Sequence, residues 1–523
     1  MTFNVSLMLR ETAADLPDKP CVALGERTWS YREVDAAADL VAANLQALGL
    51  EPGAKIGVQL PNVPQFLFAY FGLARAGYVM VPLNPLLSAR EVTFMLDSSD
   101  CEILVTTDAV AAEAVTGARQ AGDIPVYVVE TGTGAPPEGV RDFAELLTPR
   151  PSVELAPTEA DDTAVIVFTS GTTGDPKGAE LSHFGIYMNS TVSADRVGVT
   201  SEDTALAVLP FFHVYGLTSV LNTSVQFGVT MILLPRFDPV TAMDLIEAQR
   251  VARFSVVPSM LIAMLEAGTT GRDLSSVDRV ISGGSALPGE ILRRFEAEFP
   301  NATVLEGYGL SESTSSVSVN VSREERKVLS IGKPLWGTQC RVVDPEGHVL
   351  PPGKDHVGEL TYRGPTIMKG YYKNPDATAA ALRHGWLHTG DVGYMDDDGF
   401  VFVVDRMKEL IIRGGYNVYP REVEEVIATH PAVSEAVVVG KPHPRHGQEI
   451  VAVVSARTGS HITPEDIIEH AKLSLAAYKY PREVHVMTDL PKTATGKIRK
   501  REVANDVAAR AAQEEFAHRP ANR

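Results

Sequence analysis

The sequence predicts an α/β protein with two parts: a large α/β N-terminal domain and a small α+β C-terminal domain. Three observations lead there. The chain has 523 residues, 22% charged and 45% hydrophobic, which is globular in balance and too long for one ordinary core. From about residue 100 to 310, short β-rich runs alternate with helix-like segments, the pattern of α/β layers. Beyond Trp386 the texture changes to tight turns, short strands and charged helices.

The β-rich runs are 103–107, 126–130, 164–169, 231–234 and 254–257. Between them, Asp238 followed by Pro239 opens a helix with a capping carboxylate and a proline at its first position, and 288–299 reads as a second helix. Later, Asp396-Asp397-Asp398-Gly399 forms a turn, 400–404 a strand, and Asp405-Arg406-Met407-Lys408 a charged break. These place a domain boundary at 405–408, between a large domain at 1–404 and a small domain at 409–523, with a disordered tail after about 513. Within the small domain a helix is expected near 420–429, strands near 436–439 and 450–455, and a helix opened by Thr463 and Asp466.

Lys and Arg total 47 against 66 Asp and Glu, a formal charge of −19. That balance disfavours nucleic acid or an anionic membrane surface as partner, so any polyanionic ligand must be held by local groups. Cys21, Cys101 and Cys340 form no CxxC pair, which disfavours a disulfide framework or zinc site and fits a reducing, cytoplasmic compartment. No signal peptide or membrane-spanning run is read.

The most informative segment follows the run 164–169. Thr169-Ser170-Gly171-Thr172-Thr173-Gly174-Asp175-Pro176-Lys177-Gly178 packs four hydroxyls, three glycines and one lysine into ten residues. Glycines let backbone N–H groups turn toward an anion, hydroxyls add donors, and Lys177 supplies charge, so the composition is that of a polyphosphate cradle. It is not a Walker A loop, because Gly178 follows the lysine where that loop places a magnesium-binding hydroxyl.

This stretch resembles the phosphate signature of the adenylate-forming superfamily of acyl-CoA synthetases, adenylation domains and luciferases. Further motifs follow in the family's order: 210–216 (PFFHVYG), 282–285 (SGGS), 306–312 (EGYGLSE), 386–391 (WLHTGD), 405–408 (DRMK), 414–417 (GGYN) and 491–497 (PKTATGK). They span nearly the whole chain, and the closest likeness in motif is to fatty acyl-CoA and 4-coumarate-CoA ligases. Glu180 departs from the small or apolar residue usual there; it either weakens the local positive field or faces solvent.

The resemblance implies the adenylate-forming fold, with a multi-sheet large domain and a small domain mobile about a hinge at 405–408, and three small-molecule cosubstrates and cofactors: ATP, Mg2+ and coenzyme A. Thr169, Ser170, Gly171, Thr172, Thr173, Gly174 and Lys177 would hold the leaving pyrophosphate, with Gly283, Gly284 and Ser311 nearby in the nucleotide site. Glu312 would be the magnesium ligand, as a hard cation takes one carboxylate plus phosphate oxygens. Tyr308 would lie against adenine, Asp391 would accept both ribose hydroxyls, and Arg406 would contact the ribose or α-phosphate. Lys497 would bridge substrate carboxylate and α-phosphate, and a lysine acetyltransferase and deacetylase acting on it would switch that step. His213, among Phe211, Phe212 and Tyr215, is either a packed aromatic-cluster histidine or, by the resemblance, a gate between acyl pocket and coenzyme channel. Gly414 and Gly415 would line the pantetheine passage, and Lys408 would be the hinge.

No carrier module follows the small domain and no cysteine sits in a matched motif, so free coenzyme A is the simplest acceptor. The expected acyl pocket is Tyr215, Thr218, Ser219, Val257, Gly283, Gly284, Gly307, Gly309 and Val317, small or apolar and without arginine. An uncharged monocarboxylic acid is favoured, since burying a lone second charge is costly. A medium- to long-chain aliphatic acid is the first expectation and a cinnamate-like aryl acid the second. If Gly309 opens the pocket, enlarging it should shift preference toward shorter acids. Amino-acid adenylation lacks the carboxylate needed to meet an ammonium group, and a nonenzymatic nucleotide sensor would be expected to lose Lys497 or Glu312. A luciferase-like oxygenase shares the motifs.

Overall fold

The computed structural model of the chain describes residues 2–169, 176–493 and 495–517. Among these, the strands form four sheets. A seven-stranded sheet has the order Arg141–Asp142, Val126–Val129, Cys101–Thr107, Lys55–Val58, Val79–Pro82, Thr163–Thr169 and Lys177–Ser182. Neighbouring pairs are parallel except the last, an antiparallel hairpin. A nine-stranded sheet runs Lys333–Pro334, Ser315–Val319, Thr303–Leu310, Arg279–Ser282, Arg253–Val256, Thr204–Ala207, Thr230–Leu233, Pro20–Leu24 and Arg27–Ser30. The runs read as β-rich are therefore sheet strands, and their near-continuous apolar character follows from burial on both faces.

One hydrophobic cluster joins these two sheets. Ile56 and Val165 of the first meet Leu206, Met231 and Val256 of the second, with Phe66, Leu67 and Phe71 of the helix Pro64–Ala76 among them. Helices end where the sequence signals: the Asp238 side chain accepts the Thr241 N–H at 2.8 Å with Pro239 in the first turn, and the helix stops at Gln249. A third, five-stranded sheet of Gln339–Val343, Gly358–Arg363, Leu382–Arg383, Trp386–Met395 and Val401–Arg406 completes the large domain.

The small domain carries its own sheet and core. Strands Ile411–Arg413, Tyr416–Val418, Val433–His443 and Gly447–Ala456 pair antiparallel, with Glu483–Met487 added in parallel. Ile411, Val423, Ile427, Val438, Ile450, Val454 and Ile467 form the core under helices Pro420–Ala428 and Pro464–Ser474. The latter helix has the capping box read from Thr463 and Asp466. The final helix Lys500–Ala517 runs past residue 513, and residues 518–523 of the anticipated tail lie outside the described residues. No helix among the described residues is long and apolar enough to cross a membrane.

Candidate active site

Strands Thr163–Thr169 and Lys177–Ser182, which flank the phosphate segment, pair antiparallel with Thr169 opposite Lys177. Ser170, Gly171, Thr172, Thr173 and Gly174 lie outside the described residues. Segment 369–372 extends the hairpin: Lys369 N–H donates to Glu180 O (3.0 Å), Glu180 N–H to Gly370 O (2.9 Å) and Tyr372 N–H to Gly178 O (2.8 Å). This brings the Tyr371 ring under the Lys177 ammonium, 5.4 Å from the ring centre. Glu180 lies three residues from Lys177 and so on the other face of the strand. There it accepts the Thr163 hydroxyl at 2.9 Å and lines a cleft of about 690 Å³ with His183 and Lys369, away from Lys177.

Glu312 sits in the short turn Ser311–Ser313, immediately after Thr303–Leu310, with Ser311 beside it. Tyr371 Oη donates to its Oε1 at 2.7 Å and Met368 N–H to its carbonyl at 2.8 Å. Burial and the Glu312 charge push the Tyr371 pKa up, keeping the phenol a donor. The next two residues hold left-handed backbone, Thr314 at φ 60° and Ser315 at φ 112°, which is strained for residues with a side chain. Buried Asn189 holds them there, its Nδ2 donating to Ser316 O (2.7 Å) and Ser313 O (3.3 Å), while Thr314 Oγ1 donates to Thr366 O (2.6 Å). Among the described residues no three His, Cys, Asp or Glu side chains converge as a metal cage. A single carboxylate such as Glu312 fits Mg2+, which keeps phosphate oxygens and waters around one or two carboxylates.

Tyr308, Asp391 and Arg406 form the next cluster. Asp391 and Arg406 are cross-strand partners, with Arg406 Nε 3.3 Å from Asp391 Oδ1, and Tyr308 Oη donates to Asp391 Oδ2. Burial raises the Asp391 pKa against the opposing pull of Arg406 and Tyr308. Lys497 reaches this cluster from the small domain: its Cε and Nζ lie 3.0 and 3.6 Å from where a Gly284 Cβ would stand. Burial first, and then Arg406, bring the Lys497 pKa down to about 8, with Asp391 opposing. Gly496 makes the approach possible. Its φ is +79°, a Cβ there would meet Ser259 Oγ at 2.7 Å, and that hydroxyl donates to Gly496 O at 2.9 Å.

His213 is half-buried and belongs to this neighbourhood. Burial and the nearby Lys497 push its pKa down to about 3, and Nδ1 accepts the Tyr215 N–H at 3.2 Å, which puts the ring proton on Nε2. Its loop is anchored by Asn62, whose Nδ2 donates to Ala207 O and Leu209 O (both 2.9 Å) and whose Oδ1 accepts Phe211 N–H (2.9 Å).

On the acyl side, Tyr215, Thr218 and Ser219 share the π-helical segment Tyr215–Asn222. The Tyr215 ring crosses Gly283, where a Cβ would meet it at 3.1 Å, and its hydroxyl donates to Ile281 O at 3.0 Å. Thr218 is fully buried, Ser219 Oγ pairs with Ser315 Oγ at 2.7 Å, and Val257 packs beside Gly284 and Gly496. Gly307 has room for a Cβ in ordinary contact.

Two pocket expectations are corrected. Val317 is buried with Ile331, Val342, Leu360, Tyr362 and Val401, so its role is packing. Gly309 does not open acyl space: a Cβ there would stand 1.5 Å from Ser315 O, at a bulge where the strand pairing shifts. Gly309→Ala must therefore displace Ser315, and with it the turn carrying Glu312. We expect it to cost about 2 kcal/mol or more and to lower activity on all acids together, in place of the chain-length shift anticipated from sequence. Denaturant unfolding and relative kcat/KM across an acid series check this, and a selective loss of long acids at unchanged stability would restore the pocket role.

The comparisons agree with this geometry. Residues 9–372 match the family model described as AMP-binding enzyme, and residues 422–497 match the AMP-binding enzyme C-terminal domain. The chain belongs to the AMP-binding enzyme family. It is 35% identical to a long-chain-fatty-acid–CoA ligase of Bacillus subtilis (strain 168), covering 95% of this chain and 94% of the relative. It is 33% identical to 4-coumarate–CoA ligase 2 of Nicotiana tabacum, covering 95% and 93%. Among solved structures, ATP-bound MatB from Rhodopseudomonas palustris superposes with a TM-score of 0.87 at 30% identity, covering 97% and 99%. The protein is an AMP-forming acid–thiol ligase that uses ATP, Mg2+ and coenzyme A. It converts a carboxylic acid first to its acyl-adenylate with release of pyrophosphate, then to the acyl-CoA with release of AMP.

In this ligase the small domain presents Lys497 to the site and not Gly414 or Gly415. Those glycines form the turn between Ile411–Arg413 and Tyr416–Val418, at φ +59° and +85°, and a Gly414 Cβ would face His446 of the small domain. Lys408 lies in the short turn Met407–Glu409 linking the last strand of the five-stranded sheet to the first of the small one. Sequence reading passed over Tyr371, Asn189, Asn62 and Ser259. None stands in a local pattern that marks it, and each is brought in by a contact spanning at least 59 residues.

Proposed function

We propose that the acid is a medium- to long-chain fatty acid and that the residues gathered above divide the two steps between them. The observation that carries the residue roles is the convergence of Lys497, Asp391, Arg406 and His213 on one cleft. In the first step a carboxylate oxygen attacks the α-phosphorus and the bond to the β-phosphate breaks, pyrophosphate taking the electron pair. Thr169 to Lys177 grip the leaving group, and Asp391, with Tyr308 beside it, receives the ribose hydroxyls. Arg406 and Lys497 offset charge where two anions meet. Bound magnesium supplies charge neutralisation on the phosphates, and Glu312 is the side chain that would hold it.

In the second step the thiol of coenzyme A loses its proton to solvent and the sulfur attacks the acyl carbon; the bond from that carbon to the phosphate oxygen breaks and AMP leaves with the electron pair. His213, beside Tyr215, acts as the gate between the acyl pocket and the coenzyme channel. Gly414 and Gly415 take the place of Lys497 after the small domain, residues 409–523, turns about Lys408. Acetylation of Lys497 removes the charge that the first step needs, which makes that side chain a control point for a lysine acetyltransferase and deacetylase. We place the enzyme in the cytoplasm.

The uncharged, arginine-free neighbourhood of Tyr215, Ser219 and Gly283, backed by buried Thr218 and Val257, and the likeness to a long-chain ligase favour an aliphatic acid. The likeness to 4-coumarate ligases supports hydroxycinnamates as the second reading. Pyrophosphate release across fatty, aryl and amino acids decides between them. Straight-chain acids of medium to long length should give the highest kcat/KM, and a hydroxycinnamate exceeding them would overturn the aliphatic assignment.

A further inference from the structure

We infer that Tyr371 is a positioning residue that ties the cation-binding carboxylate to the phosphate-binding lysine. Its hydroxyl holds Glu312 Oε1 at 2.7 Å while its ring carries the Lys177 ammonium at 5.4 Å from the centre. No other side chain among the described residues touches both groups in these ways.

The ring is itself well held. Tyr371 bridges Ala179, two residues beyond Lys177 on the same strand, so its backbone moves with the phosphate hairpin. Its N–H donates to Thr378 Oγ1 at 2.8 Å, and Thr378 belongs to the helix Pro375–Ala381. One edge of the cleft is thus fixed to the hairpin, and the phenol reaches from there to a turn 59 residues earlier in the chain.

The two interactions differ in kind. The hydroxyl bond orients a carboxylate, leaving Oε2 without a hydrogen-bond partner among the described residues. Groups that orient a ligating carboxylate change metal affinity by about 10- to 100-fold when removed. The ring contact is a cation–π interaction, which steadies the ammonium and is weaker. Phenylalanine removes only the first, and leucine removes both.

The inference rests on the reading that Glu312 holds the cation, and the experiment separates the two. Mn2+ binding would be measured by electron paramagnetic resonance on the full chain with ATP and no acid. ATP binding without metal would be measured by calorimetry in chelator, and both would be repeated on Tyr371→Phe, Tyr371→Leu and Glu312→Gln. We expect Tyr371→Phe to weaken Mn2+ binding about 10-fold with metal-free ATP affinity within about twofold of the parent. Tyr371→Leu should weaken both, metal-free ATP by about two- to fivefold. If Tyr371→Phe binds Mn2+ like the parent while Glu312→Gln does not, the positioning role is wrong and Glu312 stands. If Glu312→Gln also binds Mn2+ like the parent, the reading of Glu312 itself fails. Equal loss of both affinities in the phenylalanine variant would mark general disruption and overturn the coupling.

Discussion

Lys497→Ala is expected to lower acyl-adenylate formation by about 100-fold or more while leaving thioester formation from supplied acyl-adenylate near the parental rate. In the proposed first step the ammonium is needed only where the carboxylate and the α-phosphate approach, and it lies beside Gly284, Arg406 and Asp391. The pH dependence gives an independent check. The charged form is the active one, and in the free enzyme burial and Arg406 bring its pKa down to about 8. Adenylation kcat/KM should therefore fall as pH rises through about 8. The kcat limb should lie higher, because two bound anions favour the ammonium. Equal loss of both half-reactions in a folded Lys497→Ala, or a wild-type kcat/KM profile flat between about pH 6 and 10 (roughly two pH units on either side of a limb are needed to see it), would remove this role.

The second large effect concerns the link between domains. Lys408→Pro is expected to keep adenylate formation and to lose thioester transfer by about 100-fold, with Lys408→Ala close to normal in both. Proline fixes one backbone dihedral and removes an N–H without touching a ligand. The neighbours are less free to turn: Glu409 lies 3.3 Å from Lys500, and Arg421 crosses the link to bond Val403 O at 2.6 Å and Asp405 Oδ2 at 3.0 Å. Stopped-flow measurement of each half-reaction decides the matter. Transfer at the parental rate in a folded proline variant would move the hinge elsewhere.

What was legible in the sequence is what chemistry confines to a short stretch. Strand-to-loop polarity located the hairpin around Lys177, capping residues located the helices at Pro239 and Pro464, and the clustered motif residues Asp391, Arg406 and Lys497 do converge. Residues acting through tertiary pairing were not legible. Tyr371 reads locally as a strand residue before a helix cap, and only the hairpin's extra strand turns it toward Glu312. Gly309 was misread for a related reason: a glycine that makes room for a ligand and one that makes room for a neighbouring carbonyl look the same in a sequence. The strained pair Thr314–Ser315, without glycine, gave no sign of left-handed backbone, since Asn189 and Thr366 hold it from distant segments.

The seat of the small domain on the large one has a thermodynamic consequence. Besides the Arg421 contacts, it rests on the Ser259 hydroxyl at Gly496 O, Gly289 N–H at Glu425 (3.4 Å) and Ser434 at Glu266 (2.5 Å). Such hydrogen bonds contribute about 1 kcal/mol each, somewhat more where a charge takes part. A preference of a few kcal/mol is small enough for one ligand to reverse, since a tenfold difference in affinity between two orientations is worth about 1.4 kcal/mol. With the roles proposed for Lys177, Lys497 and Lys408, departure of pyrophosphate would take away the anion facing Lys177 and much of the negative charge drawing Lys497 inward. Occupancy of the phosphate subsite would then set the timing of the cycle: the domain would be free to turn only after the step that needs it in place is over.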